Sequence, residues 1–236
     1  MLKKTILTSI LVLSLIGLWA QDNTSYTVPL IGSKAPSFTA QSTKGEISFP
    51  GESVSTWKIL FSHPRDFTPV CSSELLELAQ KQDEFKKLGV QIYVLSTDAL
   101  DQHNEWVNNL NAVKYKDRTP VAIDFPLIAD ESKAISKLYG MLHEQVSSTR
   151  SVRGVFIVDP NDKIRYLSFY PMEIGRNLDE IERTVIALQT ADKEKVLTPA
   201  NWTPGEDVFL PYADNQANKD ANTYYITPFM LAKKMK

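Results

Sequence analysis

The alternation of short apolar runs with amphipathic segments is the feature that most limits the folds open to this chain. Residues 57–63 (WKILFSH) and 90–96 (VQIYVLS) are short, apolar and rich in β-branched and aromatic residues, which is typical of buried strands. A stretch with helical spacing of apolar residues follows each run, at 69–88 and at 99–111, and Asp98 is the candidate N-cap of the second stretch. Two successive β-α units predict a sheet with helices packed against it.

The second half of the chain adds a hairpin and a helix. Residues 153–158 (RGVFIV) and 163–170 (KIRYLSFY) flank the turn-forming sequence DPND and predict paired strands. Residues 177–189 place their apolar side chains on one stripe, with Asn177 as the predicted N-cap. Shorter predicted pieces are strands 37–40, 46–49 and 127–129 and helix 132–139. Together these elements predict an α/β protein of the thioredoxin-like class, in which helices flank a mixed sheet.

The composition of the chain changes beyond about residue 191. Prolines alternate there with aromatic residues, so this part is too aromatic for a disordered tail and too broken for long helices. We therefore predict a core domain over 21–190 and a small C-terminal arm over 191–236. The arm is expected to pack on the core or on another subunit, as a dimerisation element. Its prolines and aromatic residues are Pro199, Trp202, Pro204, Phe209, Pro211, Tyr212, Tyr224, Tyr225 and Pro228.

The N-terminus has the pattern of a secretory signal peptide. Lys3 and Lys4 precede an uncharged, mainly apolar run at 6–18, and Ala20 offers a small residue for cleavage. We predict a signal over 1–20 and an exported protein, periplasmic or secreted, with no stable membrane insertion after removal of the signal. The alternative is an uncleaved helix that tethers the protein to a membrane, although the run is shorter than the roughly 20 residues that span a bilayer.

Charge and motif content argue against several functional classes. The chain carries 26 basic and 28 acidic residues, a formal charge of −2, and its lysine clusters are short, so nucleic-acid binding is not expected. His63, His103 and His143 lie far apart in the sequence without ligand spacing, so no metal is predicted. No glycine-rich phosphate loop or dinucleotide fingerprint occurs, so no organic cofactor is predicted either.

Cys71 is the only cysteine of the chain. Exported proteins normally use cysteines in pairs, as disulfides, but a solitary thiol cannot form an internal bridge. Three interpretations follow: an inert buried thiol, an intermolecular bridge, or a reactive nucleophile. The residues around Cys71 must distinguish between them.

The neighbours of Cys71 favour the reactive nucleophile. Thr68 is a good N-cap and Pro69 suits the first helical position, which places Cys71 in the first turn of a helix. The free N–H groups and the dipole of that turn favour a thiolate. Arg153, which opens a strand, could reach the same sheet edge and hold both sulfur and a peroxide oxygen, and Glu74 could orient it. Thr68 could also donate to the thiolate or position a peroxide, and Pro64 would shield the pocket from water.

Pro64, Thr68 and Cys71 form the P-x-x-x-T-x-x-C signature of peroxiredoxins, and the string HPRDFTPVCSSE resembles the one-cysteine subfamily in particular. Similarity extends over residues 28–227 and includes VRGVFIVDP, FYPMEIGRNLDEI and TPANW. The resemblance implies a thioredoxin fold and a thiol-dependent peroxidase for hydrogen peroxide and organic hydroperoxides. It further implies a sulfenic acid on Cys71 that an external thiol reduces, in antioxidant defence.

The same resemblance implies roles for three further residues and an assembly. Arg153 would be the catalytic arginine, Arg176 a second arginine near the site, and His63 a histidine beside the pocket. A structural role for His63 is about as favoured as proton transfer, and Arg176 could instead pair with Asp179 or Glu180. A homodimer, or a larger ring, is expected.

Other functions are compatible with parts of the sequence. A holdase-like chaperone built on the same scaffold is the main alternative, and it would not need Cys71. A thiol-disulfide oxidoreductase is disfavoured because the chain has no C-x-x-C motif. The phospholipase activity credited to some relatives is not expected, because residues 54–58 (VSTWK) lack the G-D-S-W-G element that carries it.

Overall fold

The computed structural model describes residues 27–51, 56–211 and 221–235. The predicted signal peptide over 1–20 and its cleavage point after Ala20 therefore lie outside the described residues. Within the described ranges, no helix combines the length and the apolar character needed to cross a membrane.

Seven strands form the main sheet, in the order β2-β1-β5-β4-β3-β6-β7. They are β1 (Phe38–Ser42), β2 (Gly45–Phe49), β3 (Trp57–Ser62), β4 (Val90–Ser96), β5 (Leu127–Ala129), β6 (Arg153–Val158) and β7 (Ile164–Tyr170). The helices are α1 (Pro69–Lys87), α2 (Leu100–Leu110), α3 (Ala134–Leu138) and α4 (Leu178–Glu194). This mixed sheet with flanking helices confirms the thioredoxin-like α/β prediction.

Strand β3 is the centre of the sheet and carries the start of the site. It pairs in parallel with β4 and antiparallel with β6, with Phe61 opposite Val155 in the β3–β6 register. All six of its residues are buried, as expected for a strand covered on both faces. Because β6 runs antiparallel to β3, its first residue, Arg153, lies beside the carboxyl end of β3, where α1 begins.

Two apolar clusters cover the two faces of the sheet. The first holds Cys71 among residues of β3, α1, β4, α2, β6 and α4, including Phe61, Leu75 and Trp106. The second includes Phe49, Leu60, Tyr139 and Phe156. The thiol is therefore part of the packed interior beneath the first turn of α1.

Two helix boundaries differ from the sequence predictions. Asp98 does not cap α2, whose N-cap is Ala99 without a side-chain cap, because the Asp98 carboxylate accepts from the Asp66 N–H (2.8 Å) and the Ser96 hydroxyl (2.9 Å). Helix α4 was predicted to end at residue 189 and continues to Glu194, past the predicted domain boundary. Nothing in residues 190–194 breaks a helix.

The C-terminal arm forms a small sheet of its own, in the order β8-β10-β9. Its strands are β8 (Val208–Phe209), β9 (Thr223–Thr227) and β10 (Met230–Lys233). The arm packs on α4 through an apolar cluster of Ala187, Val196, Trp202 and Val208. Several large apolar side chains of β9 and the following turn remain exposed: Tyr224, Tyr225, Ile226 and Phe229.

Candidate active site

Helix α1 begins at Pro69, as the sequence predicts. Thr68 is its N-cap, with the extended backbone angles φ −112° and ψ 148°, and Pro69 is its first residue. Cys71 is the third helical residue and is fully buried. The thiol therefore lies in the turn whose N–H groups have no intrahelical acceptors.

Arg153 brings a cation to the Cys71 sulfur. Its Nη1 donates to Sγ at 3.2 Å and to Oε2 of Glu74 at 2.8 Å. Its Nε and Nη2 both donate to the carbonyl of Met172, at 3.1 Å and 2.5 Å. Three anchors thus fix the guanidinium plane, and a hydrogen bond from a buried cation stabilises a thiolate.

Glu74 lies one turn beyond Cys71 and holds both predicted arginines. Besides the bond from Arg153, its carboxylate accepts from the N–H (2.8 Å), Nε (2.9 Å) and Nη2 (2.8 Å) of Arg176. Burial alone would raise the pKa of Glu74, but the charge and hydrogen bonds of Arg176, with the charge of Arg153, outweigh burial and lower it. Glu74 is therefore an ionised carboxylate between two guanidinium groups.

Arg176 belongs to the site and not to the surface of α4. Its Nη1 donates to the carbonyls of Ser62 and Gly154, both at 2.8 Å, and its guanidinium lies 5.1 Å from the Phe61 ring centre. The alternative pairing with Asp179 or Glu180 is wrong, since Glu180 binds Arg183 and Asp179 binds Lys81. Arg176 precedes α4, and the buried carboxylate of Glu74 is the stronger partner for a buried cation.

Thr68 and Pro64 lie in the loop between β3 and α1. The Thr68 hydroxyl donates to the carbonyl of Arg65 at 2.9 Å and makes no side-chain cap bond. In this structure the hydroxyl is thus engaged by the loop, and the predicted donation to the Cys71 thiolate is not made. Pro64 is buried in the same loop, as expected of a residue that excludes water.

His63 is fully buried and belongs to a polar cluster that the sequence did not reveal. Its Nε2 lies 2.7 Å from Oδ1 of Asp66, and Nδ1 of His103 lies 2.6 Å from Oδ2 of the same carboxylate. The two histidines are thus close in space, contrary to the inference from their sequence separation, because α2 packs beside the carboxyl end of β3. A carboxylate three residues after a buried histidine was the available signal for Asp66, but none pointed to His103.

Possible metal donors occur in the same cluster. Donor atoms of His63, Asp66 and Asp98 lie within 4.8 Å of one another. The Asp66 carboxylate is already engaged by two imidazoles, and Asp98 accepts from the Asp66 N–H and from Ser96. A metal would have to displace these hydrogen bonds, so the group fits a hydrogen-bonded cluster better than a metal centre.

Comparisons with protein families match both parts of the chain. The AhpC/TSA family model matches residues 31–167, more than half of the chain, and the model for the C-terminal domain of 1-Cys peroxiredoxin matches residues 187–223. A peroxiredoxin of Methanosarcina mazei is 47% identical over 185 residues, covering 78% of this chain and 84% of that protein. Peroxiredoxin 2 of Picrophilus torridus is 43% identical, covering 77% and 86% respectively.

Solved structures give the same answer. A yeast mitochondrial 1-Cys peroxiredoxin, studied for thiol resolution via glutathione/thioredoxin systems, superimposes with a TM-score of 0.78 at 36% identity, covering 87% of this chain and 99% of that one. A cysteine-to-serine mutant of peroxiredoxin 6 from Arenicola marina gives a TM-score of 0.76 at 32% identity, covering 87% and 97%. With one cysteine, held by an arginine at the start of a helix, the chain belongs to the peroxiredoxin family as a one-cysteine member.

Proposed function

We propose that the chain reduces hydrogen peroxide and organic hydroperoxides with Cys71 as the attacking thiolate. The observation that carries this proposal is the 3.2 Å hydrogen bond from Nη1 of Arg153 to Sγ of Cys71, in a guanidinium that Glu74 and Met172 hold in place. A fixed cation at the sulfur stabilises the nucleophile and can also stabilise negative charge on the leaving oxygen.

The reaction follows from this arrangement. The thiolate of Cys71 attacks the terminal oxygen of the hydroperoxide, an S–O bond forms, and the O–O bond breaks. The departing oxygen takes up a proton and leaves as water or an alcohol. The sulfur is oxidised to a sulfenic acid while the peroxide is reduced.

Replacement of Cys71 by Ser tests the proposal directly. The variant keeps the shape of the side chain and removes the sulfur, so we expect no thiol-dependent peroxide consumption. Ser73→Ala is a matched control, since the Ser73 hydroxyl donates to the carbonyl of Val70 in the same turn and takes no part in the chemistry. Peroxide consumption by Cys71→Ser at the native rate would refute the proposal. If Cys71→Ser still protected other proteins from aggregation, that result would instead favour the holdase-like chaperone alternative.

An external thiol has to complete the cycle. The chain has one cysteine, so no second thiol within the protein can resolve the sulfenic acid as a disulfide. The similar yeast enzyme is resolved via glutathione/thioredoxin systems, and we propose a reductant of one of these two kinds. Peroxide without reductant should leave added oxygen on Cys71 in the intact mass of the protein.

We also propose a homodimer. Strand β7 is the last strand of the main sheet. On its outer side the backbone of Ile164 bonds to Gly32 and Ser33, and the described residues show no partner strand beyond that point. The C-terminal arm exposes Ile226 and Phe229, 53% and 66% accessible. A sheet edge without a partner strand beyond Ile164 and exposed apolar side chains both favour a second copy as partner.

Export remains a further proposal, supported by the N-terminal sequence alone. Lys3 and Lys4, followed by the apolar run at 6–18 and by Ala20, form the pattern of a cleaved secretory signal. Removal of 1–20 leaves 24 basic and 28 acidic residues, a formal charge of −4. Sequencing of the mature N-terminus tests the cleavage after Ala20.

A further inference from the structure

The cluster around Asp66 contains two histidines whose ring nitrogens face different partners. Nε2 of His103 lies 3.2 Å from the carbonyl of Ile128, and a carbonyl only accepts, so this nitrogen carries a proton. Nδ1 of the same ring lies 2.6 Å from Oδ2 of Asp66. The charge of His103 depends on whether the proton between Nδ1 and Oδ2 is bound to the imidazole or to the carboxylate.

Asp66 is the ionised partner. Burial alone would raise the pKa of Asp66, but the hydrogen bonds with His103 and His63 outweigh burial and lower the pKa to about 2. An ionised carboxylate only accepts hydrogen bonds, so Nδ1 of His103 must donate. The two acceptors that face the ring, Oδ2 of Asp66 and the carbonyl of Ile128, therefore call for a proton on each ring nitrogen of His103.

His63, in contrast, is a neutral imidazole. Burial lowers the pKa of His63, and although Asp66 and Asp98 oppose this effect, the nearby His103 adds to it. The neutral ring donates from Nε2 to Oδ1 of Asp66 at 2.7 Å. Nδ1 of His63 is buried and has no hydrogen-bond partner among the residues described. It is thus a free acceptor inside the protein.

This acceptor lies beside the elements that carry Cys71. His63 directly follows β3, and its ring centre lies 5.2 Å from that of Trp106. Nε1 of Trp106 donates to the hydroxyl of Ser72, the residue after Cys71, at 3.3 Å. The orientation of the His63 ring is therefore coupled to the first turn of α1 through one intervening side chain.

We propose that His103 is a positioning residue of the peroxidatic site: as an imidazolium it holds Asp66, and through Asp66 it fixes His63 as the Nε2–H tautomer with a free Nδ1. This inference rests on the proposed peroxidase function for its kinetic consequence only. The charged groups that face His63 are Asp66 in its own loop, Asp98 before α2, and His103 within α2. A neutral residue at 103 would remove the positive charge that faces the buried Asp66 carboxylate, and the ring of His63 would lose its fixed tautomer.

Nitrogen NMR of histidine-labelled, reduced protein tests the proposal without peroxide. The full chain has three histidines, so His143→Gln both assigns the spectrum and serves as a matched control. At pH 7 we expect His103 to show two protonated ring nitrogens, and His63 to show a protonated Nε2 and an unprotonated Nδ1. A neutral His103, or a protonated Nδ1 on His63, overturns the proposal in the unmodified protein, whether or not any variant folds.

The variant His103→Gln tests the kinetic consequence of the proposal. We expect His63 to exchange between tautomers and single-turnover oxidation of Cys71 to slow about tenfold, since small misplacements near a reacting group cost rate. His143→Gln should change neither. A folded His103→Gln protein in which His63 keeps the Nε2–H tautomer would refute the proposal. Failure of the peroxidase function itself would be distinguishable, because it would abolish turnover in the native protein and leave the NMR result intact.

Discussion

At the scale of single residues, the site depends on one carboxylate that serves two buried cations. Glu74 accepts hydrogen bonds from both Arg153 and Arg176. Glu74→Gln keeps the shape and removes the charge, leaving two guanidinium groups buried without a counter-ion. We expect a loss of about 3–5 kcal/mol in the free energy of unfolding at pH 7, measured by chemical denaturation. The rate of Cys71 oxidation should fall as well, because Arg153 loses an anchor.

Glu77→Gln is the matched control, one turn further along α1. Glu77 pairs with Lys116, which is exposed, and with Arg118, which is partly exposed, so its loss should cost no more than about 1 kcal/mol. The pH dependence separates the two variants further. Because the pKa of Glu74 is lowered in the fold from its ordinary 4.5, its contribution is present above that pH and is lost as pH falls through the folded value. The deficit of Glu74→Gln should therefore shrink in acid; a deficit independent of pH would contradict the ionised carboxylate.

Some residues of the site can be predicted from one short segment of the sequence, whereas others depend on contacts that form only in the folded protein. Cys71, Pro64 and Thr68 were found because a single loop and helix start carry them within eight residues. Arg153 lies 82 residues from Cys71 in the sequence, and it was predicted from its place at the start of a strand and from the family resemblance. His103 could not be found, since its contact with Asp66 exists only after α2 packs against the end of β3. The partner of the Thr68 hydroxyl was also beyond prediction, because it depends on the exact path of the loop.

At the scale of elements, two helices begin in different ways although both N-caps have favourable side chains. Asn177 caps α4, its Oδ1 accepting from the Glu180 N–H at 3.2 Å. Thr68 occupies the same position in α1, but its hydroxyl makes no cap bond. We expect Asn177→Ala to lower the free energy of unfolding by about 1 kcal/mol, and Thr68→Ala to lower it by less than about 0.5 kcal/mol.

Denaturation of both variants in urea, side by side, measures this difference. An equal loss in the two proteins would show that the Thr68 hydroxyl caps α1 in solution. Peroxidase rates separate stability from chemistry: a slower Thr68→Ala protein with native stability would place the Thr68 hydroxyl in the reaction, as the family resemblance implies.

Element types followed from the sequence more reliably than element ends. The strands β3, β4 and β6 were predicted within one residue, because each is an apolar run with a sharp boundary. The start of α2 was misjudged at Asp98, whose carboxylate is used by the loop before α1. The end of α4 was placed too early, because no glycine or proline marks it and the bidentate pairing of Asp192 with Arg165 of β7 is a tertiary contact.

At the scale of the whole molecule, the sequence predicted a core with an arm but not where the arm lies. The pattern of prolines and aromatic residues indicated a packed segment, and Trp202 and Val208 do pack on α4. Two further aromatic residues of the arm, Tyr224 and Tyr225, are exposed on β9. The arm thus has one face against the core and one face available, which is the arrangement expected if it contacts a second subunit.

Phe229→Glu tests that arrangement. Phe229 is 66% exposed in the single chain, and a carboxylate there would be buried unpaired if the arm covers a partner. We expect light scattering of the native protein to give twice the chain mass, and the variant to dissociate at least about tenfold more readily, which corresponds to about 1.4 kcal/mol. Leu138→Glu, on α3 and 40% exposed, is the matched control and should leave the mass unchanged. A native monomer would refute the homodimer. An unaltered dimer in Phe229→Glu would move the interface away from the arm, and the outer edge of β7 beyond Ile164 would then be the next candidate surface for the second copy.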